Sequence, residues 1–366
     1  MKKVAIGLSV YPDFQSYEQI EKQLKLAHSL GYTDVFTSMQ LNNLGFENTP
    51  SSVEDFHKVF RLCRKLGIRS HVDINDEVFK DLGCTLSNLR PLKDLGIDVL
   101  RLDGGFGMDE TVQLTLNTEG IVIEDNPFKL KAVFQKVHRV IEKGNPKQYR
   151  MCHNFFPRNE TGLDFDETVS LTQELVEAGI PCGIFITSQS SPSDLNASGE
   201  GVCTIEEHRY LPPELAFSEL RNTEVFDCIL FGDSYPHEKD LKAVSEIAQK
   251  DYCELEVWLE KSLSLEQRKV ILETLHHNRP DTPALVIRST QTRLKMKVSP
   301  ERCLARPCGT ITLDNDRSNR YEGELQICLD DLGPNPVANI AGMVKPTCKR
   351  LLQQVKYNQV SFKLKE

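Results

Sequence analysis

Short apolar runs alternate with amphipathic segments from residue 3 to about residue 249. Continuous apolar runs of this length predict buried strands, and apolar residues spaced three and four apart predict helices. The predicted strands are residues 4–10, 34–39, 69–74, 99–102, 121–124, 150–155, 182–187 and 228–231. The predicted helices are residues 17–30, 53–66, 86–95, 127–141, 166–178, 212–220 and 238–249.

This alternation predicts an α/β fold, a (β/α)8 TIM barrel over residues 1–249. The alternative is a doubly wound open sheet, which needs a glycine-rich turn after its first strand. The residues at that position are Ser9-Val10-Tyr11-Pro12, which contain no glycine. Ser52 as an N-cap and Gly67 as a stop signal fit the boundaries of the second helix.

The pattern changes after residue 250. Strand-like segments separated by turn residues predict a small β-rich domain over residues 250–366, closed into a barrel. Its predicted strands are residues 255–259, 284–289, 310–313, 324–328, 340–344 and 360–364, with a helix at 265–277.

Composition narrows the class of protein. A hydrophobic fraction of 39% and a charged fraction of 27% are those of a globular chain, and a net charge of -9 disfavours a nucleic-acid binder. No apolar stretch is long enough to span a membrane. The first apolar run ends at Tyr11-Pro12-Asp13 without a cleavage site, so we expect no export signal. Eleven cysteines without a CxxC pair favour free thiols in a reducing cytoplasm.

Polar side chains follow the predicted barrel strands, at the end where barrel enzymes carry their active sites. Any one of them could merely cap the next helix, but the whole set indicates a catalytic centre. The set comprises Ser9, Tyr11, Ser38, Asp73, Asn75, Asp103, Glu124, Asn126, His153, Asn154, Arg158, Thr187, Ser188, Asp233 and Ser234.

Asp73 and Asp103 end consecutive strands, which lie about 4.8 Å apart in a sheet. Two carboxylates at such a separation suit glycoside hydrolysis, with one acid protonated and the other ionised. They would equally suit a divalent metal ion.

The loop at 188–210 is long and polar and contains Glu200, Glu207, His208 and Arg209. Arginine beside histidine suits a phosphate group, which barrels often bind after strands seven and eight. The alternative is a solvated cluster of charges that opens a helix. In the second domain, residues 320–327 read either as part of the substrate site or as an edge strand with solvated charges.

Several segments together resemble one family. They are Ser9–Pro12, Val72–Ile74, Arg101–Asp103 with Gly105–Phe106, His153–Arg158 with Thr161–Leu163, Gly199–Gly201 with Thr204–Arg209, and Arg320–Ile327. This set resembles the bacterial 6-phospho-N-acetylmuramidases, formerly described as uncharacterised "outer surface protein" homologues. The resemblance covers essentially the whole chain.

The resemblance implies a TIM barrel followed by a cyclophilin-like domain. It also implies cytoplasmic hydrolysis of N-acetylmuramic acid 6-phosphate β-1,4-linked to N-acetylglucosamine, in cell-wall recycling and without a cofactor. The substrate would enter the cell already phosphorylated by a phosphotransferase transporter.

On this hypothesis the catalytic carboxylates are Asp73 and Asp103, with Glu200 and Glu207 as alternates. The predicted substrate-binding residues are Tyr11, His153, Asn154, Arg158, His208, Arg209, Asp233, Arg320, Glu324 and Gln326. Within this set we expect Arg209, helped by His208, to contact the 6-phosphate. The 2-acetamido group of the substrate could itself be the nucleophile, in which case one aspartate only positions it.

Two other functions fit the residues. One is a metal-dependent aldolase or epimerase acting on a sugar phosphate, with ligands Asp73, Asp103, Glu124 and His153. The other is a non-enzymatic sugar-phosphate sensor, which the cost of burying several carboxylates disfavours.

Overall fold

The structure is a computed structural model that describes residues 2–40, 51–128, 131–188 and 200–366. Within the predicted helix 127–141, residues 129–130 therefore lie outside the described residues, as do residues 189–199 of the predicted site loop.

The chain divides into two compact units. The barrel unit comprises residues 2–220 and 225–248, and the second unit comprises residues 221–224 and 249–366. In the described part of the chain, no helix is both long and apolar enough to cross a bilayer.

Eight parallel strands of the barrel unit close on themselves in sequence order. They are β1 (Ala5–Ser9), β2 (Asp34–Ser38), β3 (Arg69–Ile74), β4 (Val99–Leu102), β5 (Val122–Asp125), β6 (Tyr149–Cys152), β7 (Cys182–Ile186) and β8 (Cys228–Phe231). The ring closes where β1 pairs with β8, with Ala5 opposite Cys228. The predicted TIM barrel is confirmed.

The helices of the barrel unit follow the strands. They are α1 (Tyr17–Ser29), α2 (Val53–Leu66), α3 (Asp76–Asp81), α4 (Arg90–Leu95), α5 (Met108–Thr115), α6 (Lys131–Lys143), α7 (Phe165–Glu177), α8 (Pro213–Asn222) and α9 (Glu238–Ala248). The short helices α3 and α5 were not predicted, because neither is long enough to show a helical period.

Helix α2 shows why the local predictions succeeded. The Ser52 side chain accepts from the backbone N–H of Asp55, whose own side chain accepts from the Ser52 N–H. This reciprocal pair satisfies two donors that the first helical turn leaves open. Gly67 ends the helix with a φ of 69°, a conformation that glycine adopts without steric cost.

The apolar core of the barrel unit lies between the strands and the helices. Val72, Leu100, Ile123 and Met151 point outwards from their strands into this core and are fully buried. Because side chains alternate along a strand, the neighbouring residues must point into the barrel. In β3 to β6 these inward positions include the charged or titratable side chains of His71, Asp73, Arg101, Glu124 and Arg150.

The second unit contains one curled, six-stranded sheet in the order β10-β12-β11-β13-β9-β14. Its strands are β9 (Cys253–Leu259), β10 (Val286–Ser289), β11 (Thr310–Asp314), β12 (Leu325–Cys328), β13 (Ala338–Val344) and β14 (Phe362–Lys365), and its helices are α10 (Leu265–Glu273) and α11 (Leu352–Tyr357). The prediction of a β-rich second unit is confirmed, with a half-barrel in place of a fully closed one. The cyclophilin-like assignment stays a prediction.

Candidate active site

A row of alternating charges crosses four neighbouring barrel strands. The register of the parallel pairing places Asp73 beside Arg101, Arg101 beside Glu124, and Glu124 beside Arg150. The Arg101 Nη1 donates to Glu124 Oε1 over 3.1 Å, and the Arg150 Nε lies 3.2 Å from Glu124 Oε2. This row places ion pairs inside the barrel, where apolar side chains are usual, next to a smaller apolar cluster that includes Phe36, Phe185 and Leu230.

Glu124 is the centre of the row and is fully buried. Burial alone would raise its pKa, but the charges of His71, Arg150 and Arg101 outweigh burial and hold the pKa well below its usual range. His71 joins Glu124 to Asp34, at 3.1 Å and 2.9 Å. Glu124 is therefore a permanent anion that fixes Arg101 in place.

Asp73 and Asp103 come together at the ends of their strands, as the sequence predicted. Gln40 donates its Nε2 to Asp73 Oδ2 over 2.8 Å and to Asp103 Oδ2 over 2.5 Å. Because both oxygens contact the same nitrogen, they can be no farther apart than about 5.3 Å. The two carboxyl groups can therefore act on one bond of a substrate.

The two carboxyl groups have different environments. Burial raises the pKa of Asp73 to about 6, and the nearby charge of Asp103 adds to the effect, although Arg101 and the donors Gln40 and Ser38 oppose it. Asp103, in contrast, is exposed to solvent. Such a difference is what separates an acid from a nucleophile or base in a glycosidase.

Arg101 connects this pair to β6. Its Nε lies 3.9 Å from Asp73 Oδ1, and its Nη2 donates to the side-chain oxygen of Asn154. The Asn154 backbone N–H donates in turn to Asn126 Oδ1 over 3.1 Å. Asn154 is therefore brought to the site as predicted.

Gln40 and Arg101 are the site residues that sequence reasoning missed. Alternation along β4 was a usable signal, because a residue two before Asp103 must share its inward direction. No comparable signal marked Gln40, which follows the end of β2.

Tyr11 and Asp233 lie beneath the strand ends and are fully buried. The Tyr11 hydroxyl donates to the Gly232 carbonyl over 3.2 Å. Asp233 accepts from the Ser188 N–H over 2.6 Å and from the Thr187 hydroxyl over 3.0 Å. Burial raises the pKa of Asp233 to about 7. Their predicted contact with the substrate stays a prediction.

His153 does not point into the barrel. It follows Cys152 and faces outwards, where its Nε2 lies 2.8 Å from the hydroxyl of Thr172 on α7. Burial, together with the charge of Arg101, lowers its pKa to about 3. This geometry gives His153 a packing role as a neutral side chain, in place of the predicted contact with the sugar.

Arg209 is also buried, which corrects its predicted role. Its Nε and Nη2 each lie 2.7 Å from an oxygen of Glu206, and its Nη1 donates to the Gly201 carbonyl over 3.0 Å. Its Nη2 also donates to the Phe156 carbonyl over 3.0 Å. These acceptors occupy the donors that a phosphate would need, so Arg209 joins two loops and is not positioned as a phosphate ligand.

His208 has a similar structural role. It is fully buried, and its Nε2 lies 2.9 Å from Glu219 Oε2 in α8. His208 therefore packs its loop against α8, in place of the predicted role of helping Arg209 to bind a phosphate.

Three further predicted residues of the barrel unit are exposed: Arg158, Glu200 and Glu207. Glu200 accepts from the hydroxyl of Tyr210 over 2.7 Å. Arg158 lies four residues after Asn154, and the described residues give its guanidinium no partner. Of these three, Arg158 is the side chain best suited to contact a ligand at the mouth.

In the second unit, the predicted residues Arg320, Glu324 and Gln326 lie on or beside β12. Glu324 is fully buried and accepts from Arg288 and Arg293. Gln326 stands opposite Arg288 and Thr312 in the sheet. Arg320 is exposed and donates to the Tyr321 hydroxyl over 2.6 Å.

The proposed metal ligands do not converge. His153 faces away from the carboxylate pair, and Glu124 is engaged by arginines. Among the described residues, no group of three His, Cys, Asp or Glu side chains is arranged to hold a metal ion. The placement of these residues therefore argues against the aldolase or epimerase hypothesis.

Comparisons with known proteins identify a family. The family models for the N-terminal and C-terminal parts of 6-phospho-N-acetylmuramidase match residues 6–246 and 253–365. An uncharacterised B. cereus protein of known structure is 26% identical over 100% of both chains, with a TM-score of 0.85.

A conserved Enterococcus faecalis protein of unknown function is 24% identical, with a TM-score of 0.74, over 99% of this chain and 96% of that one. This second likeness shows the fold alone. The curated proteins gave no significant match.

Proposed function

Because the chain belongs to the 6-phospho-N-acetylmuramidase family and is a glycosidase of that type, we propose that it hydrolyses the β-1,4 bond of a phosphorylated disaccharide. The substrate is N-acetylmuramic acid 6-phosphate linked to N-acetylglucosamine, and the reaction serves the recycling of cell-wall sugars in the cytoplasm. Neither this substrate nor this role follows from the fold, since one fold supports many reactions.

The observation that carries the proposal is the pairing of Asp73 with Asp103 through Gln40. Two carboxyl groups whose oxygens lie no more than about 5.3 Å apart, one of them with a raised pKa, support the assignment of this pair as the glycosidase carboxylates.

In the proposed mechanism, protonated Asp73 donates its proton to the glycosidic oxygen as the bond to the anomeric carbon breaks. Asp103 either attacks the anomeric carbon or positions the 2-acetamido group of the sugar to do so. Asp73, now ionised, then takes a proton from the water that releases the sugar and returns to its starting state.

The neighbouring residues hold this arrangement. Arg101, fixed by Glu124, stabilises the negative charge that Asp73 acquires, and its contact with Asn154 keeps that amide at the mouth. Arg158, exposed on the following loop, is proposed to contact the negatively charged part of the substrate.

The test measures release of N-acetylglucosamine from the disaccharide with and without the 6-phosphate. Asp73→Asn and Asp103→Asn should each lower kcat by about 100-fold to 10,000-fold, as for loss of a positioned acid or base. Asp81→Asn, a change at an exposed aspartate of α3, is the matched control and should retain full activity.

Full activity in both active-site variants would overturn the assignment of the carboxylates. Hydrolysis of neither disaccharide by the unaltered protein would overturn the proposed substrate.

A further inference from the structure

Three arginines of the second unit converge on one tyrosine. The guanidinium carbons of Arg288, Arg293 and Arg320 lie 5.3 Å, 4.7 Å and 4.8 Å from the centre of the Tyr321 ring. We call these three residues the arginine cluster. They come from different parts of the chain, so the fold assembles the cluster.

Positive charge is in excess at this place. Among the described residues, Glu324 is the carboxylate that pairs with both Arg288 and Arg293, and the partner of Arg320 is the uncharged hydroxyl of Tyr321. The other acid nearby is Asp314, whose pKa is raised to about 6 by burial and by the charge of Glu324. Like charges held this close repel each other, and an anion bound among them would relieve the repulsion.

The donors of the cluster are accessible to a ligand. The side chains of Arg288 and Arg293 retain 23% and 26% of their exposure, and Arg320 is exposed. Glu324 is fully buried, so it neutralises the cluster from below and leaves the outer side open. Within the described residues, the remaining N–H groups of Arg320 have no partner.

The backbone that presents Arg320 is strained. Asn319, directly before it, has a φ of 49° and a ψ of -108°, a region that residues with a side chain rarely enter. Such conformations cluster at active sites and ligand clamps, where the surrounding structure maintains them. Asn319 sits in the turn that carries both Arg320 and Tyr321.

We propose that the arginine cluster binds the phosphate group of a sugar phosphate. Guanidinium groups bind phosphate oxygens through paired N–H donors. The positive charge of three guanidinium groups is balanced better by a phosphate dianion than by a single carboxylate. The choice of a sugar phosphate as the ligand rests on the proposed function. The anion site itself rests only on the cluster.

Calorimetry on the full-length protein tests the site. The probes are inorganic phosphate, N-acetylglucosamine 6-phosphate and N-acetylglucosamine, each titrated into the unaltered protein and into Arg320→Gln, Arg320→Lys and Arg317→Gln. Arg317 is the matched control, since it is an exposed arginine of the same turn and does not contact the Tyr321 ring.

We expect the sugar phosphate to bind more tightly than inorganic phosphate and the unphosphorylated sugar not to bind at this site. Arg320→Gln should weaken sugar-phosphate binding by about tenfold or more, which corresponds to about 1.4 kcal/mol. The affinity of Arg320→Lys for the sugar phosphate should lie between those of the unaltered protein and Arg320→Gln. Arg317→Gln should bind the sugar phosphate as tightly as the unaltered protein does. Equal affinity in the unaltered protein and in Arg320→Gln, at unchanged thermal stability, would overturn the proposal.

The other outcomes of the titrations distinguish a sugar phosphate from inorganic phosphate as the ligand of the cluster. Binding of inorganic phosphate alone would overturn the assignment of a sugar phosphate. Hydrolysis measured in parallel separates this inference from the proposed function. A protein that hydrolyses the disaccharide but binds the sugar phosphate independently of Arg320 contradicts only this inference, and one that binds it through Arg320 without hydrolysis contradicts only the proposed function.

Discussion

Gln40 donates to Asp73 over 2.8 Å, and this contact holds the largely buried carboxyl group of Asp73 beside the exposed one of Asp103. The pKa of Asp73 is about 6 because burial outweighs the donors and the charge of Arg101. As a general acid, Asp73 works only in its protonated form. We therefore expect kcat/KM to fall about tenfold per pH unit as the pH rises above about 6, in a pH-rate profile of the unaltered enzyme.

The substrate's phosphate also ionises near this pH, so a variant must identify the group that titrates. Gln40→Leu removes a donor that stabilises the Asp73 anion, and the falling limb should consequently move to higher pH. The same change lowers kcat/KM, since Asp103 loses its orientation. Gln113→Leu, at an exposed position of α5, is the control. If the falling limb of the pH-rate profile stays at the same pH in Gln40→Leu, the group that titrates is not Asp73.

The spacing of the two carboxyl groups predicts the stereochemistry of the product. Inverting glycosidases separate their carboxyl groups by about 6.5–9.5 Å to admit a water molecule, whereas retaining ones use about 5–5.5 Å. An upper limit of about 5.3 Å between the Oδ2 atoms of Asp73 and Asp103 fits the second class. We expect the β-anomer of the phosphorylated sugar to appear first in NMR spectra. Initial formation of the α-anomer would show inversion.

A variant of Arg209 distinguishes the loop-joining role seen in the structure from the phosphate contact predicted from the sequence. If Arg209 only joins the loops, Arg209→Gln should lower kcat/KM equally for phosphorylated and unphosphorylated disaccharide. The change breaks the pair between buried Arg209 and the partly exposed Glu206, so unfolding in urea should show a loss of stability below that of about 3–5 kcal/mol expected for a fully buried pair. Arg90→Gln, which breaks the exposed pair with Asp94, should cost less than about 1 kcal/mol. Loss of the phosphate preference in Arg209→Gln would restore the sequence-based interpretation.

Glu124 should matter for stability more than for chemistry. Glu124→Gln leaves the buried charges of Arg101 and Arg150 without their shared anion, at a cost of about 3–5 kcal/mol in the free energy of unfolding. Because folding lowers the pKa of Glu124, its stabilising effect is present above pH 4.5 and is lost as the pH falls further. The unaltered protein should therefore lose stability in acid more steeply than Glu124→Gln, which urea titrations at several pH values would measure.

The sequence predicted the barrel because its strands and helices differ clearly in hydrophobic period and in their caps, as at Ser52 and Gly67. It also predicted that Asp73 and Asp103 meet, since ends of adjacent parallel strands share one edge. The charged row as a whole was not predictable: alternation along β4 places Arg101 inside the barrel, but only the strand register makes Arg101 and Glu124 neighbours.

The error at Arg209 has a different cause. The residue type indicates which ligands a side chain can bind, but not which acceptors the fold has already given it. Glu206 lies only three residues from Arg209, but the Phe156 carbonyl that Arg209 also contacts lies 53 residues away, and no local pattern records how those two segments meet.

The contacts of Glu206 also govern how the mouth of the barrel can move. Its two oxygens accept from Arg209 in one loop and from the backbone N–H groups of Glu160 and Gly162 in another, at 3.0 Å and 2.7 Å. The two loops are thereby mechanically coupled. Amide hydrogens on both should exchange with solvent slowly and at a common opening rate, so that substrate entry on this side requires a concerted displacement of both loops.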